Sequence, residues 1–373
     1  MHRSRPDCRR PSRTSVAAAT AVALCLLACE PDVASGTWPG LVETAAELAT
    51  LPSTQIDPSE LPGGRTRLRF GATPYLGSAA TRRAFAPLTA YLAEHLGVPV
   101  DLVVEPSYGD LIDAVVAGRV DIVQISPLSY VLARQRLPDL RLLASSLSFG
   151  ATTYSSFIVV RNDDPAQSID DLRGRRFAFV DSRSGSGYLL PYDAFLDRGI
   201  DPEVDFSSVR LSGSHAGALA DLLEGWVDAT AITDGTLNNA RRGEVVGADD
   251  VRVLFVAGRL PYDALCASPA LSDSVAKRVA AAFGALNTRT QVGRRVLANA
   301  AGLTGWMRGD DRRYDPIGRI AARVRAHRAG HGLSADFDLP VGATATVPSA
   351  SVPAQPTAAT EATAAAGATA AAQ

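Results

Sequence analysis

The chain has 373 residues, with 37 Lys and Arg against 39 Asp and Glu, which gives a formal net charge of −2 at pH 7. This near balance supplies no basic field for nucleic-acid phosphates, and no Lys/Arg-rich stripe follows the first residues, so nucleic-acid binding is disfavoured. The length allows two domains with a sizeable core. Cys8, Cys25 and Cys29 lie near the N-terminus and leave Cys266 alone in the rest, which excludes an intrachain disulfide framework in the folded body.

The N-terminus has the layout of an export signal. Arginines are frequent before an uncharged stretch from Val16 to Ala28, which is shorter than the ~20 apolar residues that a transmembrane helix requires. Residues 1–28 are therefore predicted to be a signal peptide. Leu26-Leu27-Ala28-Cys29 resembles the bacterial lipobox, which implies that Cys29 becomes the lipid-carrying first residue of the mature protein. The alternative is an ordinary secretory peptide that is cleaved nearby.

Two low-complexity segments flank the predicted folded body. Residues 29–64 are rich in Pro, Ser, Thr, Ala and Gly without a sustained period, and they are predicted to form a flexible tether. Residues 336–373 form a tail dominated by Ala, Thr and Pro, a composition that cannot bury a core. The fold is therefore expected between residues 65 and 335.

Within the body, short apolar runs alternate with helical patterns, which predicts an α/β architecture with largely parallel sheets. In chain order, strands are predicted at Arg67–Ala72, Val98–Val104, Asp121–Ile125, Leu142–Ser146, Phe157–Arg161, Phe177–Val180, Val209–Leu211, Val227–Ile232 and Val251–Val256. Helical segments are predicted at Ser78–Leu96, at Tyr108–Ala117, from Pro127 onward, at Ile169–Leu172, from the Ser182–Gly187 loop to about Leu196, from His215 to Glu224, and at Ser272–Leu286, Val292–Ala300 and Gly318–His327. Apolar residues of the first helix recur at i, i+3 and i+4, and Gly97 is predicted to end it.

Three predicted strand ends carry a small polar cluster directly before a helix. The clusters are Ser126-Pro127, Ser184-Gly185-Ser186-Gly187 and Ser212-Gly213-Ser214-His215. Helix N-termini present unpaired N–H groups and a partial positive charge, and serine hydroxyls add further donors. Because ligands of open α/β sheets bind where strand ends converge, the clusters predict an oxyanion pocket, with His215 as a candidate ligand contact.

Catalytic and metal-binding patterns are weak. The chain has no HExxH motif, no Walker A loop and no recognisable zinc motif among its five histidines. The Ser184–Gly187 segment lacks the leading glycine of a nucleophile elbow, and nothing in the sequence marks an acid that would orient a Ser186–His215 pair. A non-enzymatic protein without metal or cofactor is therefore expected. An exported hydrolase that uses Ser186 and His215 stays open as an alternative.

Several motifs between Leu68 and Val324 together resemble a known transport family. They are Tyr108-Gly109-Asp110-Leu111-Ile112, Val120-Asp121-Ile122, Pro127-Leu128-Ser129-Tyr130-Val131-Leu132-Ala133, Ser186-Gly187-Tyr188-Leu189-Leu190-Pro191, Ser212-Gly213-Ser214-His215, Val227-Asp228-Ala229 and Leu260-Pro261-Tyr262-Asp263. The sequence resembles the phosphate, phosphite and phosphonate substrate-binding proteins of bacterial ABC importers. The resemblance implies a type 2 periplasmic binding protein fold, in which two α/β lobes joined by a two-segment hinge close over the ligand.

The resemblance also implies how the chain is divided and where it acts. Lobe 1 would comprise residues 65–150 and 258–335, and lobe 2 residues 151–257. The two crossings would lie near Ser148–Ser156 and Val251–Gly258. A monomeric, lipid-anchored protein in the periplasm or at the outer cell surface would deliver a small oxyanion to an ABC permease and its ATPase.

The ligand contacts of the family can be carried over residue by residue. The candidate positions are Tyr108, Ser126, Ser184, Gly185, Ser186, His215, Asp234 and Asp263. The resemblance implies that Tyr108, His215 and the serine loop donate to the oxyanion. Asp263 would accept a hydrogen bond from a protonated ligand oxygen or from an ammonium group. The match at Asp234 is loose, with Thr233 as an equal candidate.

Two positions depart from the family pattern. Ile125 stands where some phosphonate binders place a tyrosine, and Gly185 replaces a threonine. Each lost hydrogen bond to a charged ligand is worth ~1.5–3 kcal/mol, so the specificity can differ within the same fold. A sulfur oxyanion or a pyrimidine therefore stays open as the ligand. A sensor that reports ligand status to a membrane kinase is a further alternative.

Overall fold

The structure is a computed structural model that describes residues 54–332, except residues 244, 248 and 301. The predicted signal peptide, Cys29, residues 30–53 of the predicted tether and the predicted tail lie outside the described residues. Residues 54–64, which were predicted to be part of a flexible tether, are instead packed onto the fold, because Ile56 and Leu61 are buried in the hydrophobic core and Glu60 pairs with Arg278 at 2.7 Å. Within residues 54–332, no described helix is both long enough and apolar enough to cross a membrane.

Strands and helices alternate along the described chain. The strands are β1 (Leu68–Ala72), β2 (Val100–Val103), β3 (Ile122–Ile125), β4 (Arg141–Ser148), β5 (Thr153–Arg161), β6 (Arg176–Phe179), β7 (Ser208–Leu211), β8 (Ala229–Thr233), β9 (Val251–Pro261), β10 (Ala264–Ala267) and β11 (Leu303–Arg308). The α-helices are α1 (Ser78–Leu96), α2 (Tyr108–Val116), α3 (Pro127–Arg136), α4 (Leu190–Asp197), α5 (His215–Leu223), α6 (Asp234–Arg242), α7 (Asp273–Ala285), α8 (Gln291–Val296) and α9 (Asp315–Gly330). Short 3₁₀ turns lie at Pro58–Glu60, Pro62–Gly64, Ile169–Leu172 and Asp311–Arg313, and a π-helical turn at Gly185–Leu189 leads into α4.

The strands form two mixed sheets, with the orders β11-β4-β10-β3-β1-β2 and β7-β6-β8-β5-β9. The predicted largely parallel arrangement was wrong, because five of the described strand pairings are antiparallel and four are parallel. Every antiparallel pairing includes β4, β5 or β10, the strands next to the crossings between the sheets. A parallel pair of strands needs a crossover, usually a helix, that brings the chain back to the same end of the sheet. At the crossings the chain passes from one sheet to the other without such a helix, so these strands run antiparallel to their neighbours.

The chain passes twice between the sheets. It leaves β4 at Ser148 and enters β5 at Thr153, within the predicted first crossing. It returns through residues 262–263, because β9 stays paired with β5 as far as Pro261, beyond the predicted second crossing. The division into two lobes at residues 257 and 258 stays a prediction, and this boundary falls inside β9.

The longest predicted helix has the bounds that its apolar spacing indicates. α1 spans Ser78–Leu96, and its predicted face, from Ala84 to Leu96, is buried. Gly97 follows with φ of 71°, a left-handed conformation that suits glycine, and its N–H donates to the carbonyl of Ala93. The prediction of this helix and its end is confirmed.

Aromatic side chains fill the layers between the sheets and their helices. The ring of Phe283 on α7 lies 5.8 Å from that of Phe70 on β1 and 4.9 Å from that of Trp306 on β11. In the second sheet, the Phe177 ring on β6 lies 5.1 Å from that of Phe195 on α4. Burial of one such side chain contributes ~1.5–3 kcal/mol. This packing fixes the positions of the strands and helices whose ends carry the polar clusters.

The last described helix, α9, connects elements of both sheets. It packs against α3, which follows β3 of the first sheet, and against α4, which follows β6 of the second. Arg328 of α9 is fully buried and donates to the hydroxyl of Tyr188. Arg323 of the same helix pairs with Asp193 at 2.9 Å and with Asp197 at 2.7 Å. α9 is therefore tied to residues of the predicted lobe 2.

Candidate ligand-binding site

A cavity of about 390 Å³ lies where the strand ends of the two sheets face each other. Six of the eight predicted site residues line it: Tyr108, Ser126, Ser184, His215, Asp234 and Asp263. The lining also includes apolar side chains, among them Leu219, Leu223, Val245 and Leu303. The structure therefore brings residues that are far apart in the sequence into one partly apolar space.

Four helices begin at this cavity. α2 begins at Tyr108, α3 follows Ser126, α5 begins at His215 and α6 begins at Asp234. The hydroxyl of Ser126 bonds to that of Ser129 at 2.9 Å and does not cap α3. Helix N-termini carry unpaired N–H groups and a partial positive charge. The four helix N-termini together favour the binding of an anion, and they do so without the help of a basic side chain among the described lining residues.

His215 is held in a defined, neutral state. Its backbone N–H donates to the carbonyl of Tyr75 at 3.3 Å, and its Nε2 lies 3.5 Å from the hydroxyl of Ser186. Burial lowers the pKa of His215 to about 4, so the imidazole is neutral at pH 7 and offers a single N–H. Its Nδ1 has no hydrogen-bond partner within the described residues. His215 is thus a lining residue of the cavity that keeps a buried, unsatisfied ring nitrogen.

The same contacts bear on the alternative of a catalytic Ser186–His215 pair. A serine nucleophile requires a base whose second ring nitrogen is oriented by a third group. In the described part of the chain, no carboxylate bonds to Nδ1 of His215. Ser186 is itself buried, and the residues that line the cavity do not include it. The geometry thus favours hydrogen bonding to a ligand over nucleophilic attack.

Asp263 is a carboxylic acid of the cavity lining whose pKa is raised by its surroundings. It lies in the second crossing between the sheets, and its backbone carbonyl accepts from the N–H of Ser146 at 2.9 Å. Burial raises the pKa of Asp263 to about 6, and the hydrogen bond with the side chain of Gln124 opposes this rise. This group exchanges its proton close to neutral pH. It can accept a hydrogen bond from a ligand that still carries a proton.

Asp234 also lines the cavity, but its carboxylate is already bonded to the backbone. One oxygen accepts from the N–H of Ser155 at 3.0 Å, and the other accepts from the N–H of Gly235 at 2.7 Å. These bonds join the start of α6 to β5. Asp234 therefore has a clear positioning role. Thr233, the equal candidate, caps α6 through its hydroxyl and lines the same cavity.

Tyr108 and Ser184 form a hydrogen-bonding pair at the wall of the cavity. Burial raises the pKa of Tyr108 well above its usual value, the carboxylate of Asp181 raises it further, and the hydrogen bond with Ser184 opposes both. The Ser184 hydroxyl also accepts from the N–H of Gly187 at 3.0 Å. Tyr108 is therefore a neutral phenol held in place at the start of α2.

Gly185 and Ser186 lie next to the cavity, but the residues that line it do not include them. A Cβ at Gly185 would lie 3.0 Å from the side chain of Leu260, so the packing of this turn favours glycine over a larger residue. The carbonyl of Ser186 accepts from the hydroxyl of Ser156 at 2.7 Å. Their ligand contacts remain a prediction.

Several polar side chains of the lining were not predicted from the sequence, among them three phenols and an amide. Tyr75, Tyr154, Tyr262 and Gln124 all line the cavity. Tyr262 directly precedes Asp263, and Tyr75 lies between the end of β1 and the start of α1, so both stand at the kind of strand end that indicated the other candidates. Tyr154 is inside β5 and carries no such signal. Ile125, which stands where some phosphonate binders place a tyrosine, is buried in the core, and its side chain supplies no hydrogen-bond donor. These three phenols supply donors to the site in its place.

The polar groups of the lining are almost all neutral. No Arg or Lys is among the described residues that line the cavity, whereas Asp234 and Asp263 are. A fully ionised dianion would face these carboxylates without a compensating side-chain charge, and like charges repel strongly in an enclosed site. A singly protonated oxyanion or a zwitterion fits this set of groups better.

Comparisons with known proteins agree with this geometry. Residues 70–314 match the family described as "ABC transporter, phosphonate, periplasmic substrate-binding protein". The chain is 26% identical over 203 residues to the "Phosphate-import protein PhnD" of Mycolicibacterium smegmatis, which covers 50% of this chain and 63% of that protein. It is 28% identical over 231 residues to the "Tetrathionate sensor histidine kinase TtrS" of Salmonella typhimurium, which covers 57% of this chain and 38% of the kinase. The chain thus spans less than two thirds of the length of either relative.

The fold agrees with a solved structure. PhnD1 from Prochlorococcus marinus in complex with methylphosphonate superposes with a TM-score of 0.64 at 19% identity, over 69% of this chain and 98% of that one. The two sheets with their helices form the mixed α/β fold of a type 2 periplasmic binding protein. The family match covers most of the chain and includes both crossings and the cavity. The chain therefore belongs to the periplasmic phosphonate-binding family of ABC transporter substrate-binding proteins.

Proposed function

We propose that the protein captures a small phosphorus oxyanion outside the cytoplasm, encloses it between two lobes and delivers it to an ABC permease. The lobes are the predicted segments 65–150 with 258–335 and 151–257, and hinge closure would occur at the two crossings. The candidate ligands are phosphonate, phosphite and phosphate. The protein would act as a monomer, without a chemical step.

The observation that carries this proposal is the chemistry of the cavity. Helix N-termini and the neutral donors Tyr108, Ser184 and His215 surround the space, and Asp263 can accept from a protonated ligand oxygen. Charge-assisted hydrogen bonds to an oxyanion are strong in such a water-poor site. A sulfate ion has no proton to give to Asp263 at neutral pH, so the site should select against it.

The apolar side chains of the cavity lining favour a ligand with an organic substituent. A cavity needs about 10–15 Å³ of internal space to hold one water molecule, so a cavity of about 390 Å³ exceeds the needs of a bare tetrahedral anion. Leu219, Leu223 and Leu303 would contact the substituent, and the polar groups would bind the phosphorus oxygens. Among the three candidates, the proposal therefore places a phosphonate first.

Isothermal titration of the mature chain with phosphate, phosphite, methylphosphonate, 2-aminoethylphosphonate and sulfate tests the proposal. We expect saturable binding of at least one phosphorus anion and at least tenfold weaker binding of sulfate. Binding of sulfate but of no phosphorus anion would show that the pocket serves a sulfur oxyanion. Absence of binding to all five would refute the oxyanion assignment, and a pyrimidine would be tested next.

A sensory role is the second candidate, and one observation favours it. Part of the chain is similar to part of a protein named as a sensor histidine kinase. In that case the closed form would contact a membrane signalling partner in place of a permease. Genes for a permease and an ATPase beside this gene would favour import, and a kinase gene there would favour sensing. Reconstitution with the cognate permease and ATPase tests the difference, because only the import function predicts ligand-stimulated ATP hydrolysis that requires this protein.

The proposed membrane attachment rests on Cys29, outside the described residues. Lipidation of this cysteine would hold the protein at the outer face of a membrane, with residues 30–53 as the tether. In cells fed a labelled fatty acid, the wild-type protein should carry the label and a Cys29→Ser variant should not. Equal labelling of both would refute the lipoprotein assignment and leave ordinary secretion.

A further inference from the structure

Three side chains converge at the C-terminal end of α9, and none of them lines the ligand cavity. His327 lies in the last turn of α9, and His331 follows four positions later, directly after the helix. Nε2 of His327 lies 3.1 Å and Nε2 of His331 lies 3.0 Å from the same atom, Oδ2 of Asp201. Asp201 belongs to the segment between α4 and β7. The donor atoms of all three lie within 4.8 Å of one another.

These separations are close to those of a metal site. Zn²⁺ binds imidazole nitrogen and carboxylate oxygen at about 2.0–2.1 Å in tetrahedral geometry, which puts neighbouring ligand atoms about 3.3 Å apart. Residues four positions apart lie on one face of a helix, so His327 and His331 approach the same point without distorting α9. An ion between these atoms would need only a small outward shift of the three side chains.

The carboxylate of Asp201 is already oriented for this role. Its Oδ1 accepts from the N–H of Glu203 at 3.0 Å, and its backbone N–H donates to the carboxylate of Asp205 at 2.7 Å. These bonds fix the side chain and leave Oδ2 directed at the two imidazoles. Hydrogen bonding that orients a ligating group is a regular property of metal sites. Without an ion, each histidine must place a proton on Nε2 to bond to the same oxygen.

We propose that Asp201, His327 and His331 bind a divalent transition-metal ion of the Zn²⁺ class, with water at the remaining position. The side chain of His331 is 42% exposed, so an ion can enter from solvent. The ion links the C-terminal end of α9 to the segment that leads into β7 of the second sheet, because residues of both segments coordinate it. It acts on the stability of this junction and takes no part in the ligand cavity.

The experiment uses the mature full chain without a polyhistidine tag, freed of metal by a chelator. Titration with Co²⁺ is followed by visible absorption, and Zn²⁺ is then added as a competitor. We expect one Co²⁺ per chain with the absorption of a tetrahedral site, and displacement by Zn²⁺. His327→Gln and His331→Gln should each weaken Zn²⁺ binding by about 100-fold or more, since loss of an outer-shell partner alone costs about 10–100-fold.

His95→Gln is the matched control. His95 lies on α1, where its ring stacks on Tyr91 and bonds to the carbonyl of that residue, so the variant removes a histidine elsewhere in the fold. Its Zn²⁺ affinity should equal that of the wild type. Absence of saturable binding at millimolar Zn²⁺ and Co²⁺ would overturn the proposal. Undiminished binding by a variant with both His327→Gln and His331→Gln would overturn it as well.

Discussion

Replacement of Asp263 by asparagine should make the ligand-free protein more stable and a poorer binder at the same time. Burial raises the pKa of Asp263 from 3.8 to about 6. The ionised group therefore pays a desolvation penalty that an amide of the same shape does not. The amide keeps an oxygen that can accept from Gln124, and its N–H can donate to Oε1 of Gln124, which has no partner within the described residues.

The pKa difference gives the magnitude and the pH dependence. A unit of pKa corresponds to about 1.36 kcal/mol, so the ionised Asp263 destabilises the folded protein by about 3 kcal/mol at pH 7.5. Because the folded-state pKa is the higher one, the folded protein binds more protons than the unfolded protein between the two values. The penalty is therefore absent well below pH 3.8 and complete above pH 6. The same linkage leaves about 0.5 kcal/mol of it at pH 4.

Urea unfolding of the wild type and Asp263→Asn at the two pH values measures this difference. We expect the variant to gain up to about 3 kcal/mol in the free energy of unfolding at pH 7.5 and about 0.5 kcal/mol at pH 4. Its affinity for a singly protonated phosphorus anion should fall about 10–100-fold, because it loses a hydrogen bond to a charged group. Discrimination against sulfate should fall with it.

Asp234→Asn is the control at a second carboxylate of the same cavity. Both oxygens of Asp234 accept from backbone N–H groups, and an amide has only one acceptor oxygen. This variant should lose about 1–3 kcal/mol of stability at both pH values. A raised pKa of Asp263 would be refuted if Asp263→Asn were less stable than the wild type at pH 7.5, or if its gain in stability were the same at pH 4.

Three further predictions concern the site and the packing. Tyr108→Phe should weaken oxyanion binding about tenfold or more without loss of the fold, and unchanged affinity in calorimetry would remove Tyr108 from the site. Because burial lowers the pKa of His215 to about 4, the wild-type affinity should show no imidazole titration between pH 6 and 8, and a step there that His215→Gln abolishes would contradict the neutral assignment. Gly293→Ala should destabilise the protein by more than ~2 kcal/mol in thermal unfolding, since its Cβ would lie 1.7 Å from the carbonyl oxygen of Asn287. Gly318→Ala, on α9 with 3.8 Å to its nearest neighbour, should instead be neutral or stabilising by up to ~1 kcal/mol.

Elements with strong local periodicity were predictable, and those without it were not. The apolar spacing of Ser78–Leu96 and the following Gly97 mark a helix by local rules alone. By contrast, α6 buries only Leu237, so it has no apolar face from which to predict a helix. β10 is four fully buried residues without alternation, and β11 contains Gly305 with φ of 153°. In these segments tertiary contacts decide the conformation.

The residues of the site also divide into those that local sequence patterns predicted and those that they did not. Small polar clusters at strand ends pointed to Ser126, Ser184 and His215, because such clusters reflect the local chemistry of a helix start. The phenol of Tyr154 comes from the middle of β5 and reaches the cavity only because the second sheet faces the first. Ser186 belongs to the same predicted cluster as Ser184, yet it does not line the cavity.

The sequence by itself determined the alternation of strands and helices, the strand-end chemistry that favours an anion, and the family resemblance. Only the tertiary structure decided which strands reverse direction, which carboxylate has its pKa raised to about 6, and that His327 and His331 meet Asp201. The physical reason is that periodicity and capping act over a few residues. Burial, charge repulsion and convergence of side chains arise only when distant segments pack together.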